Sequence, residues 1–331
     1  MRAVRATSYG PPSGLVVEDV PAPVPGPGEV VVDIRASSVN FPDGLIVADR
    51  YQVSAPLPFT PGSEFAGVVS AVGHDVMGLE PGASVRGSVF VGAFAEQLGV
   101  AEHSVRRLPA AVGFRDAAAF GVTYSTAYHA LVSVGRLERD EWVLVLGAAG
   151  GVGLAAVELA HHLGGRVVAA ASSADKLAVC RASGADEVID YTAEDLKQRT
   201  KDLTGGGASV VIDPVGGQWS EQALRATRFG ARFVCVGFAS GEIPRIPLNL
   251  VLLKGAEIKA FEYRTFGTHA PEVMAAADER LWGMLADGLL HPHIGAVHTL
   301  ASAAEALDEV MGRRSIGKVL IEPTPDRQHS R

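Results

Sequence analysis

Two cysteines, Cys180 and Cys235, are all the thiol chemistry available in 331 residues. That is too few for a disulfide framework. Both stand among apolar neighbours, so buried free thiols in a reducing compartment are expected. Aromatic residues supply only 6% of the chain, so aliphatic side chains must fill its core. Positive charge is in deficit: 29 Lys and Arg stand against 37 Asp and Glu, a formal net charge of −8. A sequence-independent nucleic-acid surface needs clustered Lys and Arg, and none is expected. No run of about 18 charge-free apolar residues suits a lipid span, and the nearest candidate, Trp142–Val157, is interrupted by glycines. No apolar h-region follows Met1–Arg5, so no secretory signal and a cytoplasmic location are expected.

What the chain does have is glycine, 38 residues of it, and enough length for two domains. Residues 1 to about 120 read as β-rich, with short strands such as Glu29–Arg35 and Gly67–Val72 between Pro and Gly turns. The Pro- and Gly-rich run 21–28 has a strand on each side and reads as a rigid extended connection. From about 121 to 255 strands alternate with helices: Trp142–Leu146, Arg166–Ala171, Glu187–Asp190, Ser209–Asp213 and Arg232–Gly237, with helices to Leu163, over Asp175–Ser183 and over Ser220–Thr227. That alternation predicts a parallel, doubly wound sheet. Beyond 256 the pattern is mixed again, with helices near Glu272–Asp287 and Ala301–Met311 and a final strand at Lys318–Ile321. The expectation is an α/β chain in which a nucleotide domain, 121–255, interrupts a second, partly barrel-like domain made of 1–120 and 256–331. The polar tail Thr324–Arg331 is expected to fray.

One segment carries the chemistry. The apolar strand ending at Leu146 runs into Gly147, Gly150, Gly151 and Gly153, and a helix follows. This is the strand–turn–helix setting of a dinucleotide-binding loop. Gly147 allows the tight turn, the backbone of Gly150, Gly151 and Val152 can approach a pyrophosphate, and Gly153 allows close helix packing. The helix N-terminus then faces the phosphate charge. An NAD site usually places Asp or Glu at the tip of the next strand to bond the ribose 2′-OH. Here that tip reads Ala171-Ser172-Ser173-Ala174-Asp175-Lys176. Two hydroxyls and a lysine suit a 2′-phosphate, which points to NADPH. Ser172 or Ser173 can equally cap the following helix, and the two roles are compatible.

The stretches Ser38–Asp43, Pro61–Val69, Gly121–Ala130, Gly184–Tyr191, Asp213–Gly217 and Gly317–Val319, together with the glycine loop, resemble the quinone oxidoreductase (zeta-crystallin-like) branch of the medium-chain dehydrogenase/reductase superfamily. The resemblance spans nearly the whole chain. It implies a GroES-like, partly open β-barrel domain plus a Rossmann domain, with the active site between them. Zinc-dependent relatives carry Gly-His-Glu where this chain has Gly62-Ser63-Glu64, and a ligating cysteine is missing near Asn40. Four-cysteine structural zinc is impossible with two cysteines, so no metal is expected.

The resemblance also implies roles. Asn40 contacts the nicotinamide ribose or the substrate, and Thr123 the nicotinamide amide. Tyr191 packs beside the adenosine ribose, while Gly237, Phe238 and Ser240 line the nicotinamide half. Phe261 lies on the nicotinamide side, although Phe261–Arg264 departs from common family versions. Lys318 and Arg313 can reach a cofactor phosphate or form a solvated basic turn. Tyr51 resembles a tyrosine that relays a proton to the reduced acceptor, or simply lines the cleft. Asp43 orients Tyr51 or a water, or caps a helix start.

The expected reaction is zinc-independent hydride transfer from NADPH to a quinone or other α,β-unsaturated carbonyl. The alternatives are an enoyl-thioester reductase of the same family and a non-catalytic, crystallin-like or RNA-binding NADPH-binding protein. A homodimer is expected through the apolar stretch Ile246–Leu253, read as an edge strand that needs covering.

Overall fold

The computed structural model describes residues 1–323, and the tail Thr324–Arg331 lies outside them. Two compact units are formed: Met1–Gly121 with the chain from Ile294 onward, and Val122–His293. The return to the first unit thus comes at Ile294, not at 256. The reason is the short strand Glu257–Ala260, which continues the parallel sheet of the second unit.

In the first unit, β1 (Arg2–Arg5) pairs antiparallel with β2 (Val16–Asp19). The long strand β3 (Glu29–Val39) runs through the middle of the main sheet and leads into α1 (Phe41–Val47). Along one edge β3 pairs antiparallel with β4 (Glu64–Val72), which continues to β5 (Ser84–Ser88) and then, past β6 (Gln97–Ala101), to β7 (Val105–Arg107). Along its other edge β3 pairs with β6 over residues 29–33. Register shifts at Val31/Val32 and Ile34/Ala36 bend the ladder, as bulges do where sheets curl into barrels. The alternating Val30, Val32 and Ile34 pack with Phe65, Val69 and Val85 in one core cluster. Helix α2 (Phe114–Tyr128) then leads into the second unit.

The second unit holds six parallel strands. In chain order these are β8 (Trp142–Leu146), β9 (Arg166–Ala171), β10 (Glu187–Asp190), β11 (Ala208–Asp213), β12 (Thr227–Cys235) and β13 (Glu257–Ala260). In space the order is β10-β9-β8-β11-β12-β13. The helices between them are α3 (Gly151–His162), α4 (Ala174–Ala182), α5 (Leu196–Thr204), α6 (Gln218–Arg225) and α7 (Leu248–Lys254). Leu144, Leu146, Val168, Ile189, Val211 and Phe233 form the sheet's share of one aliphatic core. The order reverses between β8 and β11, the topological switch point at which doubly wound sheets bind ligands.

The sheet's two edge strands are β10 and β13. Ile246–Leu253, expected as an edge strand, is helical from Leu248, and Gly255 closes the helix in the left-handed conformation at φ 55. Helices α8 (Tyr263–His269) and α9 (Pro271–Ala286) complete the unit. Back in the first unit, β14 (Ile294–Thr299) pairs in parallel with β15 (Lys318–Glu322), α10 (Ala303–Met311) lies between them in sequence, and β15 pairs antiparallel with the end of β3. Among the described residues, no helix is long and apolar enough to cross a membrane.

Candidate functional site

The glycine loop follows β8 at the switch point. Gly147 takes φ +55, a left-handed conformation that glycine adopts without strain. A Cβ on Gly153 would lie 2.4 Å from the Gly147 carbonyl oxygen and 2.7 Å from the Ala148 Cα, so helix and turn meet at a distance no side chain permits. Gly150 caps α3, and Gly151, Val152 and Gly153 form its first turn. The result is a side-chain-free cradle on a helix N-terminus, which fits a pyrophosphate.

At the tip of β9, Ser173 caps α4, its hydroxyl accepting from the Lys176 backbone N–H at 3.4 Å. The Lys176 ammonium leans back to donate to Ser172 Oγ, also at 3.4 Å. The cap and a cationic, hydroxyl-lined tip therefore coexist. Tyr191 follows β10 and stacks obliquely on Trp219, ring centroids 4.5 Å apart. Past β11, the buried Asp213 carboxylate accepts from the N–H groups of Val215 and Gly216, both at 2.9 Å, and from Ser220 Oγ. The turn it organises anchors the loop after β12, with Val236 N–H on the Asp213 carbonyl and Ser240 N–H on that of Val215. Gly237, Phe238 and Ser240 sit on that loop. Thr123 is buried in α2.

Phe261 follows β13 and is buried. Its ring is 3% exposed and packs face-on against His129 at 5.4 Å, with Phe266 alongside. The side chain is spent on an aromatic cluster, because β13 turns it inward.

The first unit contains a buried charged cluster. Asn40 follows β3 and caps α1, with its backbone N–H donating to Asp43 Oδ2 at 2.8 Å. Glu64 opens β4, whose register sets it across from Ser38. Lys318 opens β15, next to the Val319–Val39 pair. Glu64 and Lys318 thus reach Asn40 from opposite edges of β3. Lys318 Nζ donates to Asn40 Oδ1 at 2.7 Å, and Asn40 Nδ2 donates to Glu64 Oε2 at 3.2 Å. All four side chains are buried. Lys318, expected at a cofactor phosphate or in a solvated basic turn, is buried, with its ammonium on Asn40 Oδ1 and the Val39 carbonyl, so the solvated turn is not what forms.

Two carboxylates and one ammonium share this space. Burial pushes Asp43 up to about 6, against the lowering effects of the Ser63 hydroxyl, the Asn40 N–H and the Lys318 charge. Burial likewise pulls Lys318 down, opposed by Glu64 and Asp43. Asp43 Oδ1 is buried with no hydrogen-bond partner, so this carboxyl can hold a proton close to neutral pH. Tyr51, just beyond α1, is half-buried and packs against the core cluster around Val47, Phe59 and Leu307. Among the described residues, no group of three or more His, Cys, Asp and Glu side chains is arranged to hold a metal ion.

Asn40 and Asp43 are legible as site candidates in the sequence, whereas the contacts of Glu64 and Lys318 with Asn40 are not. The available signal was a charged residue at the head of each of two apolar strands, Glu64-Phe65-Ala66 and Lys318-Val319-Leu320-Ile321.

Residues 26–134 match the alcohol dehydrogenase GroES-like domain and residues 151–279 a zinc-binding dehydrogenase domain. The quinone oxidoreductase-like protein 2 homolog of Nematostella vectensis is 36% identical over 324 residues, covering 97% of this chain and 88% of that protein. Human quinone oxidoreductase is 30% identical over 325 residues, 97% of each chain. The crystal structure of Escherichia coli quinone oxidoreductase complexed with NADPH is similar at a TM-score of 0.90 and 28% identity, covering 98% of this chain and 100% of that one. Sharing this much of its length with such relatives, the chain belongs to the quinone oxidoreductase family of the medium-chain dehydrogenase/reductases and is an oxidoreductase.

Proposed function

We propose that this protein is an NADPH-dependent, zinc-independent reductase of quinones or other α,β-unsaturated carbonyls. The observation that carries the reading is the tip of β9, where Ser172, Ser173 and Lys176 stand in place of a carboxylate. The crystal structure of the Escherichia coli relative with NADPH supports the same cofactor here. The backbone at Gly147, Gly150, Gly151, Val152 and Gly153 holds the pyrophosphate, Lys176 and the two serines the 2′-phosphate, and Tyr191 the adenosine ribose. Thr123 and the Gly237–Ser240 loop hold the nicotinamide half, which supplies hydride when bound.

On the acceptor side, Asn40 orients the ligand through its amide. Asp43 stores a proton for the oxygen of the reduced acceptor, with Tyr51 or a water carrying it across. Absence of zinc chemistry fits the donor set: Ser63 takes the place of a ligating histidine, and the Lys318 ammonium already supplies the cation beside Glu64 and Asp43. Assembly as a homodimer through the β13 edge is part of the proposal. Beside that edge Phe229, Leu252 and Leu248 are 77, 80 and 79% exposed, a concentration that monomers rarely leave uncovered.

The test is NADPH oxidation by chelator-treated enzyme against ortho- and para-quinones, enones and enoyl-CoA esters. Turnover of quinones or enones, undiminished by chelation, is expected. Zinc-stimulated alcohol oxidation with no quinone or enone turnover refutes the proposal, and selective turnover of the thioesters replaces it with an enoyl reductase.

A further inference from the structure

We propose that Glu64 and Lys318 act as a pair of positioning residues that fix the orientation of the Asn40 carboxamide and leave one N–H of it for the ligand. An amide is nearly symmetric in shape. Rotated by 180° about its last torsion, an Asn side chain keeps its shape and exchanges donor for acceptor. Here the two orientations are far from equivalent. In the observed one, Oδ1 accepts from the Lys318 ammonium at 2.7 Å and Nδ2 donates to the Glu64 carboxylate at 3.2 Å. In the flipped one, an amide NH2 would face an ammonium that only donates, and an amide oxygen would face a carboxylate that only accepts. Two buried charges of opposite sign, one at each end of the amide, therefore select a single state.

The device is built into the sheet register. Asn40 directly follows β3, and β4 and β15 each start with a charged residue on either side of it. Lys318 is further held by the Val39 carbonyl at 3.5 Å, and the Asn40 backbone by the Asp43 carboxylate. The amide has two N–H groups and two acceptor positions. One of each is taken by the clamp, which leaves a second N–H with a fixed direction. A ligand carbonyl or hydroxyl recognised there meets a preorganised partner rather than a rotor.

This inference rests on the reading of Asn40 as a ligand-contacting residue, and the experiment separates the two. The side-chain amide resonances of Asn40 in the free, 15N-labelled protein are assigned by their loss in Asn40→Ala. The clamp predicts two well-separated, slowly exchanging protons in the wild type that move together and exchange faster in Glu64→Gln, whose own amide no longer dictates direction. Turnover in Glu64→Gln should fall by about 10²-fold, the cost of a misplacement near 1 Å. In the Asn40→Ala background the same substitution should cost nothing further. Equal losses in both backgrounds, or an Asn40 amide unchanged by Glu64→Gln, overturn the proposal. If Asn40→Ala leaves turnover and NADPH affinity intact, the reading of Asn40 fails while the clamp is still decided by the amide resonances. Should Glu64→Gln not fold, Glu64→Asp keeps the charge, withdraws the acceptor by one methylene and is read in the same two ways.

Discussion

The turn at Gly147–Gly153 is built of backbone, whereas the cluster of Asn40, Asp43, Glu64 and Lys318 is built of side chains. The glycine cradle is local: seven consecutive residues, a left-handed turn and a helix N-terminus define it. The charged cluster is assembled from strand ends far apart in sequence, with Glu64 24 residues and Lys318 278 residues from the amide they hold. The first tolerates any neighbour that leaves it room. The second tolerates almost no change, since every member balances a charge or an orphaned hydrogen-bonding group of another.

The largest test of that contrast is Lys318→Met. It leaves Asp43 and Glu64 buried without a cation, and uncompensated buried charge costs about 3–5 kcal/mol. Urea unfolding at pH 8 should show that loss, and a smaller one at pH 5, where Asp43 takes up a proton. A loss below about 1 kcal/mol at both pH values would mean that the cluster is not coupled.

Next is the pH dependence of the wild type. The folded Asp43 titrates near 6 and the free carboxyl near 3.8, so burial favours the protonated form. Its stabilising contribution is complete below about pH 4 and is lost as pH rises through 6. The gap corresponds to about 3 kcal/mol. Asp43→Asn should flatten the unfolding free energy across this window, and an unchanged slope would contradict the buried, protonatable state.

In the backbone half, Gly153→Ala forces a Cβ onto the Gly147 carbonyl at 2.4 Å. Overpacking of this kind costs about 1–3 kcal/mol, and NADPH affinity measured by fluorescence titration should fall by about tenfold or more. Retained affinity would show that the loop can open without harm.

The smallest effect distinguishes two functions of one turn. Lys176→Ala should weaken NADPH by about 1–3 kcal/mol and leave NADH unchanged. Ser173→Ala should lower stability by about 1 kcal/mol through the lost helix cap. Equal losses of both nucleotides in Lys176→Ala would sink the 2′-phosphate assignment.

The contrast also explains what was legible in the sequence. Strands β8 and β9 coincide with the expected runs Trp142–Leu146 and Arg166–Ala171, because a strand buried on both faces needs a nearly unbroken apolar stretch. The glycine loop was legible for the same local reason. Ile246–Leu253 suits a strand as well as a helix in the sequence, because a short apolar run has no period of its own to separate the two. Its identity comes from the Gly255 cap. A charged head on an apolar strand marks Lys318 as unusual, but its partner was hidden. Nothing near residue 318 says that its ammonium will meet residue 40; only the pairing of β15 on β3 does.

That pairing has a consequence for how the molecule comes into being. A ribosome adds about 5–20 residues per second, so tens of seconds separate Asn40 from the lysine that holds it. During that interval the Asp43 and Glu64 carboxylates are already made and their counter-ion is not. The nascent chain has every reason to keep this corner hydrated until β15 arrives, and the strand that closes the sheet is also the one that completes its chemistry.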